Sequence, residues 1–279
     1  MPRSAIHTVS AKNRRAGKRE HLASKPNQGQ PILGIGDLGE GNERDALIVK
    51  FDMMGTILQA WTLGQSGRDV GTYIESLEDG SMIASAVVRP YPYSGVDNLY
   101  VARITPNGSI SWERQFGDED NDINGGYILK TSDGNLLITG DLRNTEDNNE
   151  KGVLIKMNTN GSVLFRKQWE ASTDFDVFTH SAEVDDGYVV TGYSDFINPD
   201  ASPVKAVVSK LDFNGNLIWS NAYDSGAQLV SNNLHILSNY DNTMIVAYGE
   251  RGVNSTDFAE LDIVVMKLDV DGSVIWANR

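Results

Sequence analysis

The chain of 279 residues contains no cysteine. Disulfide bonds and thiolate chemistry are therefore excluded, and cysteine usage gives no indication of a redox compartment. No apolar run approaches the ~20 residues that a membrane-spanning helix needs, so no transmembrane segment is expected. The sequence also lacks a nucleophile motif, a phosphate-binding loop and any metal-ligand spacing, and it shows no helical periodicity outside its N-terminal arm. No motif therefore marks the chemistry of this chain.

The net charge of −14 is unevenly distributed. The first 30 residues hold seven Lys or Arg and one acid, which leaves 17 basic and 37 acidic residues for the rest of the chain. Such an acidic body repels phosphate backbones, so nucleic acid is not an expected partner. The basic arm, residues 1–29, is expected to be poorly ordered, and it lacks the apolar centre of a signal peptide.

One local pattern returns five times along the chain: a basic residue, a turn glycine five positions later, and then an aromatic residue. The basic residues are Lys50, Arg103, Lys156, Lys210 and Lys267, and the glycines are Gly55, Gly108, Gly161, Gly215 and Gly272. The glycines are 53, 53, 54 and 57 residues apart. A fixed period near this length, with short β-rich runs bounded by Gly, Asn and Asp, is typical of propeller blades. The sequence therefore predicts an all-β fold, a β-propeller of five four-stranded blades.

The domain prediction is a single propeller over residues 30–279 that follows the arm. Its blades are expected near 20–67, 68–117, 118–170, 171–224 and 225–279. The first strand of the first blade has the weakest pattern, because His21 to Ser24 would have to supply it.

The repeated side chains have a structural interpretation. Aromatic residues four positions after the glycine are Trp112, Phe165, Trp219 and Trp276. They are predicted to pack between neighbouring blades rather than to form a ligand box, with Trp61 taking this role in the first repeat, where Gln59 breaks the series. Each basic residue is predicted to pair with a carboxylate or carbonyl while its stem covers apolar surface, rather than to join a ring of cations that binds a ligand.

Two sets of residues are candidates for binding. The first strand of each blade lines the channel of a propeller, and it carries Tyr73, Tyr127, His180 and His235. These side chains could bind a ligand or, on weaker grounds, a metal, and the alternative is a polar, water-filled lining. The second set is the aromatic residues of the long, variable connections, where rigid folds usually bind their partners: Tyr91, Tyr93, Phe175, Phe196 and Phe258.

The same connections are acidic. Asp118, Asp120 and Asp122 form an oxygen-rich run that could hold Ca²⁺, a hard cation that takes six to eight oxygen ligands. The run departs from the spacing of a known calcium loop, and simple solubility is the alternative. No other cofactor is expected.

The repeat units at 211–219, 268–276 and 126–140 carry the pattern most clearly, and the first two have an Asp-x-x-Gly turn that leads to a Trp. They resemble the tandem β-propeller repeats of bacterial secreted and cell-surface proteins. The resemblance implies an extracellular or cell-envelope location, although the chain shows no signal peptide. The sialidase Asp-box is a related pattern, but it has three steps from Gly to Trp where this chain has four.

The expected function is a non-enzymatic binding or scaffold module that binds a protein or glycan through its variable loops. The alternative is a glycoside hydrolase or lyase with its site at the mouth of the channel, which requires two facing carboxylates ~5–9 Å apart. Glu75 and Glu183 lie on inner strands, but their different offsets from the turns predict that they point to different faces.

Overall fold

A computed structural model describes most of the chain. The described residues are 7–8, 21–22, 32–40, 43–64, 67–90, 96–118, 120–146, 150–169, 176–194, 205–223, 229–230, 234–251 and 262–279. All regular structure in these ranges is β-strand, which confirms the all-β prediction. The same ranges therefore contain no helix of the length and apolarity that crossing a membrane requires.

The strands are short and follow the repeat. Those of the first two repeats are β1 (His7–Thr8), β2 (His21–Leu22), β3 (Ile32–Glu40), β4 (Glu43–Phe51), β5 (Ile57–Leu63), β6 (Gly67–Ser76), β7 (Met82–Pro90), β8 (Asn98–Ile104) and β9 (Ile110–Phe116). The next two repeats contain β10 (Asn121–Lys130), β11 (Leu136–Asn144), β12 (Glu150–Met157), β13 (Val163–Trp169), β14 (Asp176–Val184), β15 (Gly187–Ser194), β16 (Lys205–Leu211) and β17 (Leu217–Tyr223). The last repeat contains β18 (Leu229–Val230), β19 (His235–Ser238), β20 (Met244–Arg251), β21 (Asp262–Leu268) and β22 (Val274–Asn278).

Over the described residues these strands form four sheets, of nine, four, four and five strands. The first two repeats share the nine-stranded sheet, so the sheets do not separate into five blades and the blade count stays a prediction. The fold divides into two compact units: unit 1 is residues 1–130 with 158–162, and unit 2 is residues 131–157 with 163–279.

Unit 1 contains two successive antiparallel groups, β2–β3–β4–β5 and β6–β7–β8–β9. They are joined by a parallel bridge between Arg44 of β4 and Arg68 of β6. The predicted first strand of the first repeat is confirmed for its first two residues, because β2 pairs with Gly34 and Ile35 of β3. The arm also contributes β1, which lies along β5 as an additional strand.

Unit 2 repeats the same antiparallel order. Its strands pair as β11–β12–β13, as β14–β15–β16–β17 and as β20–β21–β22, with both β18 and β19 on β20. Each unit has its own apolar core: Ile48, Ile74 and Tyr100 are fully or almost fully buried in unit 1, and Val208 and Val246 in unit 2. Burying an aliphatic side chain of this size stabilises the folded state by about 1.5–3 kcal/mol, so each core contributes substantially.

The hairpin turns have the predicted chemistry. In the first, the carboxylate of Asp52 accepts the backbone N–H groups of Met54 and Thr56, both at 2.8 Å, and Gly55 closes the turn with φ +82°. That positive φ favours glycine because a Cβ would be strained there. Asn242 takes the corresponding place in the turn before β20, with φ 59°.

The aromatic residues pack between consecutive repeats, as predicted. Each lies against the turn glycine of the next repeat, so that a Cβ placed on that glycine would meet the ring; the pairs are Trp61–Gly108, Trp112–Gly161, Phe165–Gly215 and Trp219–Gly272. The role predicted for Trp61 is therefore confirmed. Trp276 is 39% exposed.

Within the ranges that the structure describes, four of the five repeated basic residues form ion pairs with the aspartate of the neighbouring hairpin turn, which confirms their structural interpretation. The pairs are Arg103–Asp79 at 2.5 Å, Lys156–Asp133 at 2.6 Å, Lys210–Asp186 at 2.9 Å and Lys267–Asp241 at 3.7 Å. The basic side chains are 8–27% exposed, whereas the aspartates are roughly half-exposed or more. The cationic stems therefore lie in the sheet surface, and the turn carboxylates neutralise them.

Candidate functional site

Three arginines of unit 1 occupy one line across adjacent strands. Arg44 of β4 is the parallel partner of Arg68 of β6, and Arg68 is the antiparallel partner of Arg89 of β7. Directly opposite residues of paired strands project to the same face of a sheet, so the three side chains lie side by side. We call them the arginine row.

Arg89 is the best anchored member of the row. Its Nε and Nη2 donate to the two carboxylate oxygens of Asp97, each at 2.7 Å. The hydrogen bond to Asp97 raises the pKa of Arg89 against the opposing effect of burial. The Asp97 backbone N–H in turn donates to the fully buried carboxylate of Asp122 at 2.7 Å. Asp97 is thus fixed from two sides, and its orientation fixes the guanidinium plane of Arg89.

Arg44 and Arg68 are held more loosely. Arg68 approaches Asp97 at 3.9 Å, and Arg44 approaches Asp37 of β3 at 3.4 Å, both longer than a good hydrogen bond. Within the described residues, the buried Nε of Arg44 has no hydrogen-bond partner. The side chains of Arg44, Arg68 and Arg89 remain 35%, 33% and 26% exposed. The row therefore presents N–H donors to solvent beside buried carboxylates, an arrangement suited to binding oxyanions and hydroxyl groups rather than cations.

The arginine row lies at the ends of its three strands. Arg44 and Arg68 are the second residues of their strands and Arg89 is the penultimate residue of its strand, so all three lie where strands meet the connections. Alternation turns Asp69 away from Arg68, and Asp69 is buried against Gly64.

The predicted tyrosines come together in unit 1. The rings of Tyr73 and Tyr127 meet edge to face with centroids 4.5 Å apart. Burial, followed by the charge of nearby Glu75, raises the pKa of Tyr73 to about 12, and burial also raises the pKa of Tyr127. Both phenols are therefore neutral at ordinary pH and available as hydrogen-bonding groups rather than as nucleophiles.

The predicted histidines come together in unit 2. The rings of His180 and His235 have centroids 4.9 Å apart. Burial, followed by the charge of His235, lowers the pKa of His180 to about 3, so this imidazole is neutral at physiological pH. Among the described residues no group of three or more His, Cys, Asp or Glu gathers as a metal site would require. Whether either aromatic pair binds a ligand stays a prediction.

The aspartates of the predicted calcium run point into separate local networks. Asp118 accepts hydrogen bonds from the Asp120 backbone N–H at 3.1 Å and from Asn121 at 2.8 Å. Asp122 instead accepts the backbone N–H of Asp97. The calcium prediction remains without further support from this geometry.

The remaining predicted residues have mixed outcomes. The loop aromatics Tyr91, Tyr93, Phe175, Phe196 and Phe258 lie outside the described residues. In unit 2 the carboxylate of Glu183 accepts hydrogen bonds from the backbone N–H and hydroxyl of Ser132, at 2.6 and 2.7 Å, which is a structural role.

Sequence reasoning missed the arginine row. The predicted blade bounds put Arg68 at the junction of the first two blades, whereas it lies inside β6, which begins at Gly67. The signal that was available is the occurrence of arginine at the connection-side ends of strands in an otherwise acidic chain.

Comparisons with known proteins support the fold. No protein-family model matches the chain, and no curated protein matches it in sequence. Among solved structures, a candidate exo-β-1,3-galactanase from Bifidobacterium bifidum s17 is 14% identical with a TM-score of 0.51, covering 92% of this chain and 90% of the other. A subtype N10 neuraminidase-like protein of A/little yellow-shouldered bat/Guatemala/060/2010 is 10% identical with a TM-score of 0.56, covering 89% of this chain and 79% of the other.

A third structure is Drosophila Plexin A in complex with Semaphorin 1b, at 10% identity and a TM-score of 0.52, covering 90% of this chain and 52% of the other. The candidate galactanase has a β-propeller-type fold, so the comparison supports a β-propeller-type fold for this chain. At these identities the likeness extends to the fold alone. The resemblance to bacterial surface repeats stays a prediction.

Proposed function

We propose that the protein acts on carbohydrate, as a glycoside hydrolase whose substrate binds at the arginine row. The observation that carries the proposal is the row itself: partly exposed guanidinium groups beside buried aspartates, at the connection-side ends of strands. Sites of α/β and β folds are commonly built where strands meet variable connections, because a rigid sheet holds the side chains there. The fold likeness to a candidate galactanase and to a neuraminidase-like protein supports the same class.

Glycoside hydrolysis needs two carboxyl groups with different roles. Asp97 suits the general base or nucleophile, because the Nε and Nη2 of Arg89 hold both of its carboxylate oxygens in a fixed orientation. The second carboxyl group must lie close to Asp97 in the fold. Asp120 is the candidate, since it is exposed and directly precedes β10, whose Ile123 donates its N–H to the Asp97 carbonyl at 2.8 Å.

The test is a panel of neutral and acidic oligosaccharides, with hydrolysis followed by the release of reducing ends. We expect turnover of at least one glycan, and a loss of more than about 100-fold in kcat in Asp97→Asn and Asp120→Asn, as for removal of an acid–base group. Glu146→Gln, which changes an exposed acid of unit 2, is the matched control and should keep full activity. Thermal unfolding of each variant separates lost chemistry from lost folding. Failure of the whole panel, or full activity in both aspartate variants, would refute the proposal.

A second candidate is the non-enzymatic binding module expected from the sequence, at a cell surface or in the cell envelope. One observation favours it: Asp97 binds Arg89 and Asp122 binds a backbone amide, so both carboxylates position other groups. A glycan that binds stoichiometrically and is recovered intact would select this candidate over the hydrolase.

A further inference from the structure

The arginine row is electrostatically unusual for this chain. Like charges that lie directly opposite each other on neighbouring strands repel, yet here two successive cross-strand pairs are both Arg–Arg. The chain has only 24 basic residues and a net charge of −14. Three of those basic residues occupy one line on one face, so the row concentrates positive charge that the fold alone does not require.

The hydrogen-bond donors of the row are only partly used. A guanidinium group has five N–H donors and no acceptor. Arg89 gives two of its donors to Asp97, but the contacts of Arg44 to Asp37 and of Arg68 to Asp97 are 3.4 and 3.9 Å long. Because the side chains of Arg44 and Arg68 are 35% and 33% exposed, these long contacts leave donors on two adjacent guanidinium groups for an incoming acceptor.

The charged groups around the row limit how densely charged the bound ligand can be. The three guanidinium groups form ion pairs with Asp37 and Asp97, and the charge of the buried Asp122 also acts on Arg89, so the row has little net charge and offers mainly its N–H donors. A densely charged polyanion would be repelled by the acidic body of the protein. Carboxylates spaced along a chain of neutral sugar rings are repelled less than such a polyanion.

We propose that the arginine row binds the carboxylate of an acidic sugar residue, a uronic acid unit of a glycan. A planar carboxylate matches the planar guanidinium fork, and Arg binds it through two parallel N–H···O bonds. The sugar hydroxyl groups then lie over the flanking strand ends, where Asp97 is fixed as an acceptor. This inference rests on the proposed function and names its substrate class.

The test uses trigalacturonate and its methyl ester, which has the same sugar skeleton without the negative charges, in calorimetric titrations of the full chain. We expect trigalacturonate to bind and the ester to bind at least about tenfold more weakly, as for loss of charge-assisted hydrogen bonds. Arg68→Gln should weaken trigalacturonate binding by the same factor, and Arg68→Lys should restore only part of it, because lysine lacks the fork. The control Arg166→Gln changes an exposed arginine of β13 and should bind as the unmodified protein does.

Several outcomes would overturn the inference. These are equal binding of the acid and its ester, unchanged affinity in Arg68→Gln and in Arg44→Gln, or displacement of trigalacturonate by equimolar inorganic sulfate. Thermal unfolding confirms that each variant is folded. If the protein hydrolyses a neutral glycan and Arg68→Gln hydrolyses it equally fast, this inference is overturned but the protein is still a hydrolase. If the protein binds trigalacturonate but hydrolyses no glycan, the inference is kept and the hydrolase is excluded.

Discussion

Removal of the carboxylate beside Lys156 should destabilise unit 2 more than removal of any other turn carboxylate there. The Nζ of Lys156 is 2.6 Å from both the Asp133 carboxylate and the Tyr188 hydroxyl, and its side chain is only 8% exposed. Asp133→Asn keeps the size of the partner but removes its charge. The lysine would then be buried with a neutral neighbour, which a buried cation tolerates poorly.

The exposed fraction of each aspartate side chain determines how much stability its removal should cost. A hydrogen bond to a charged group contributes about 1.5–3 kcal/mol, and the 46% exposure of the Asp133 side chain reduces this to about 1–2 kcal/mol through solvent screening. At roughly 2 °C per kcal/mol for a chain of this size, the melting temperature should fall by about 2–4 °C. Asp186→Asn should cost less than ~1 kcal/mol, and Asp241→Asn less still, because these carboxylates are 65% and 61% exposed and the Asp241 pair is 3.7 Å long.

The contribution of Asp133 to folding stability should decrease in acid. Burial acts to raise the pKa of Asp133, but hydrogen bonds from Lys156, Thr131 and Asn135 outweigh it and lower the pKa below 3.8. The contribution of this carboxylate is therefore present above pH 3.8, its ordinary value, and it decreases as the pH falls below that value. The stability difference between the unmodified protein and Asp133→Asn should narrow over the same range.

Urea unfolding of the three variants at pH 7 and at several lower pH values gives the measurement. Equal costs for Asp133→Asn and Asp241→Asn, or a difference that widens in acid, would refute the argument that burial of the cation sets the strength of each pair.

Three further outcomes are expected. Gly161→Ala should cost about 2–4 kcal/mol of folding stability, more than Gly134→Ala. Both glycines have positive φ, but only a Cβ at Gly161 would meet a ring, that of Trp112 at 2.8 Å. Equal losses of stability in urea unfolding would contradict this. Trp112→Phe should cost about 1–3 kcal/mol, because it removes the indole donor that binds the Thr159 carbonyl at 2.9 Å and leaves a smaller ring; an unchanged urea midpoint would contradict this. Because the pKa of His180 is lowered to about 3, NMR titration should show this imidazole staying neutral well below pH 6.5. Folding stability should decline as the pH falls from 6.5 towards 3, because only the unfolded chain binds a proton at this residue there. Titration of His180 near pH 6.5 in the folded protein would contradict this.

The repeat was predictable because its determinants are local. A turn glycine with positive φ, a capping carboxylate and an aromatic residue at a fixed offset each act within a few residues, as in the turn at Asp52 to Gly55. The period also indicated that Lys156 and Lys210 pair with a carboxylate or carbonyl, and the structure identifies these partners as Asp133 and Asp186 of the preceding hairpin turns.

The arginine row was not predictable in the same way. Arg44, Arg68 and Arg89 meet only through the register of three strands, including a parallel bridge between successive repeats. The single-sequence pattern specifies which residues alternate within one strand, but not which residue of a neighbouring repeat lies opposite. The nine-stranded sheet has the same origin, since the bridge between β4 and β6 joins two repeats that the pattern separates.

The contact of each aromatic ring with the following turn glycine gives the repeats a direction. Trp61 touches the glycine of the second repeat, and Phe165 that of the fourth, so within each unit a repeat is stabilised from its N-terminal side. The stability of such an array depends on coupling between neighbouring repeats, so a substitution at one junction destabilises mainly the two repeats that share it. Hydrogen exchange after substitution of one ring should therefore accelerate in adjoining strands first, and more distant strands should keep their protection.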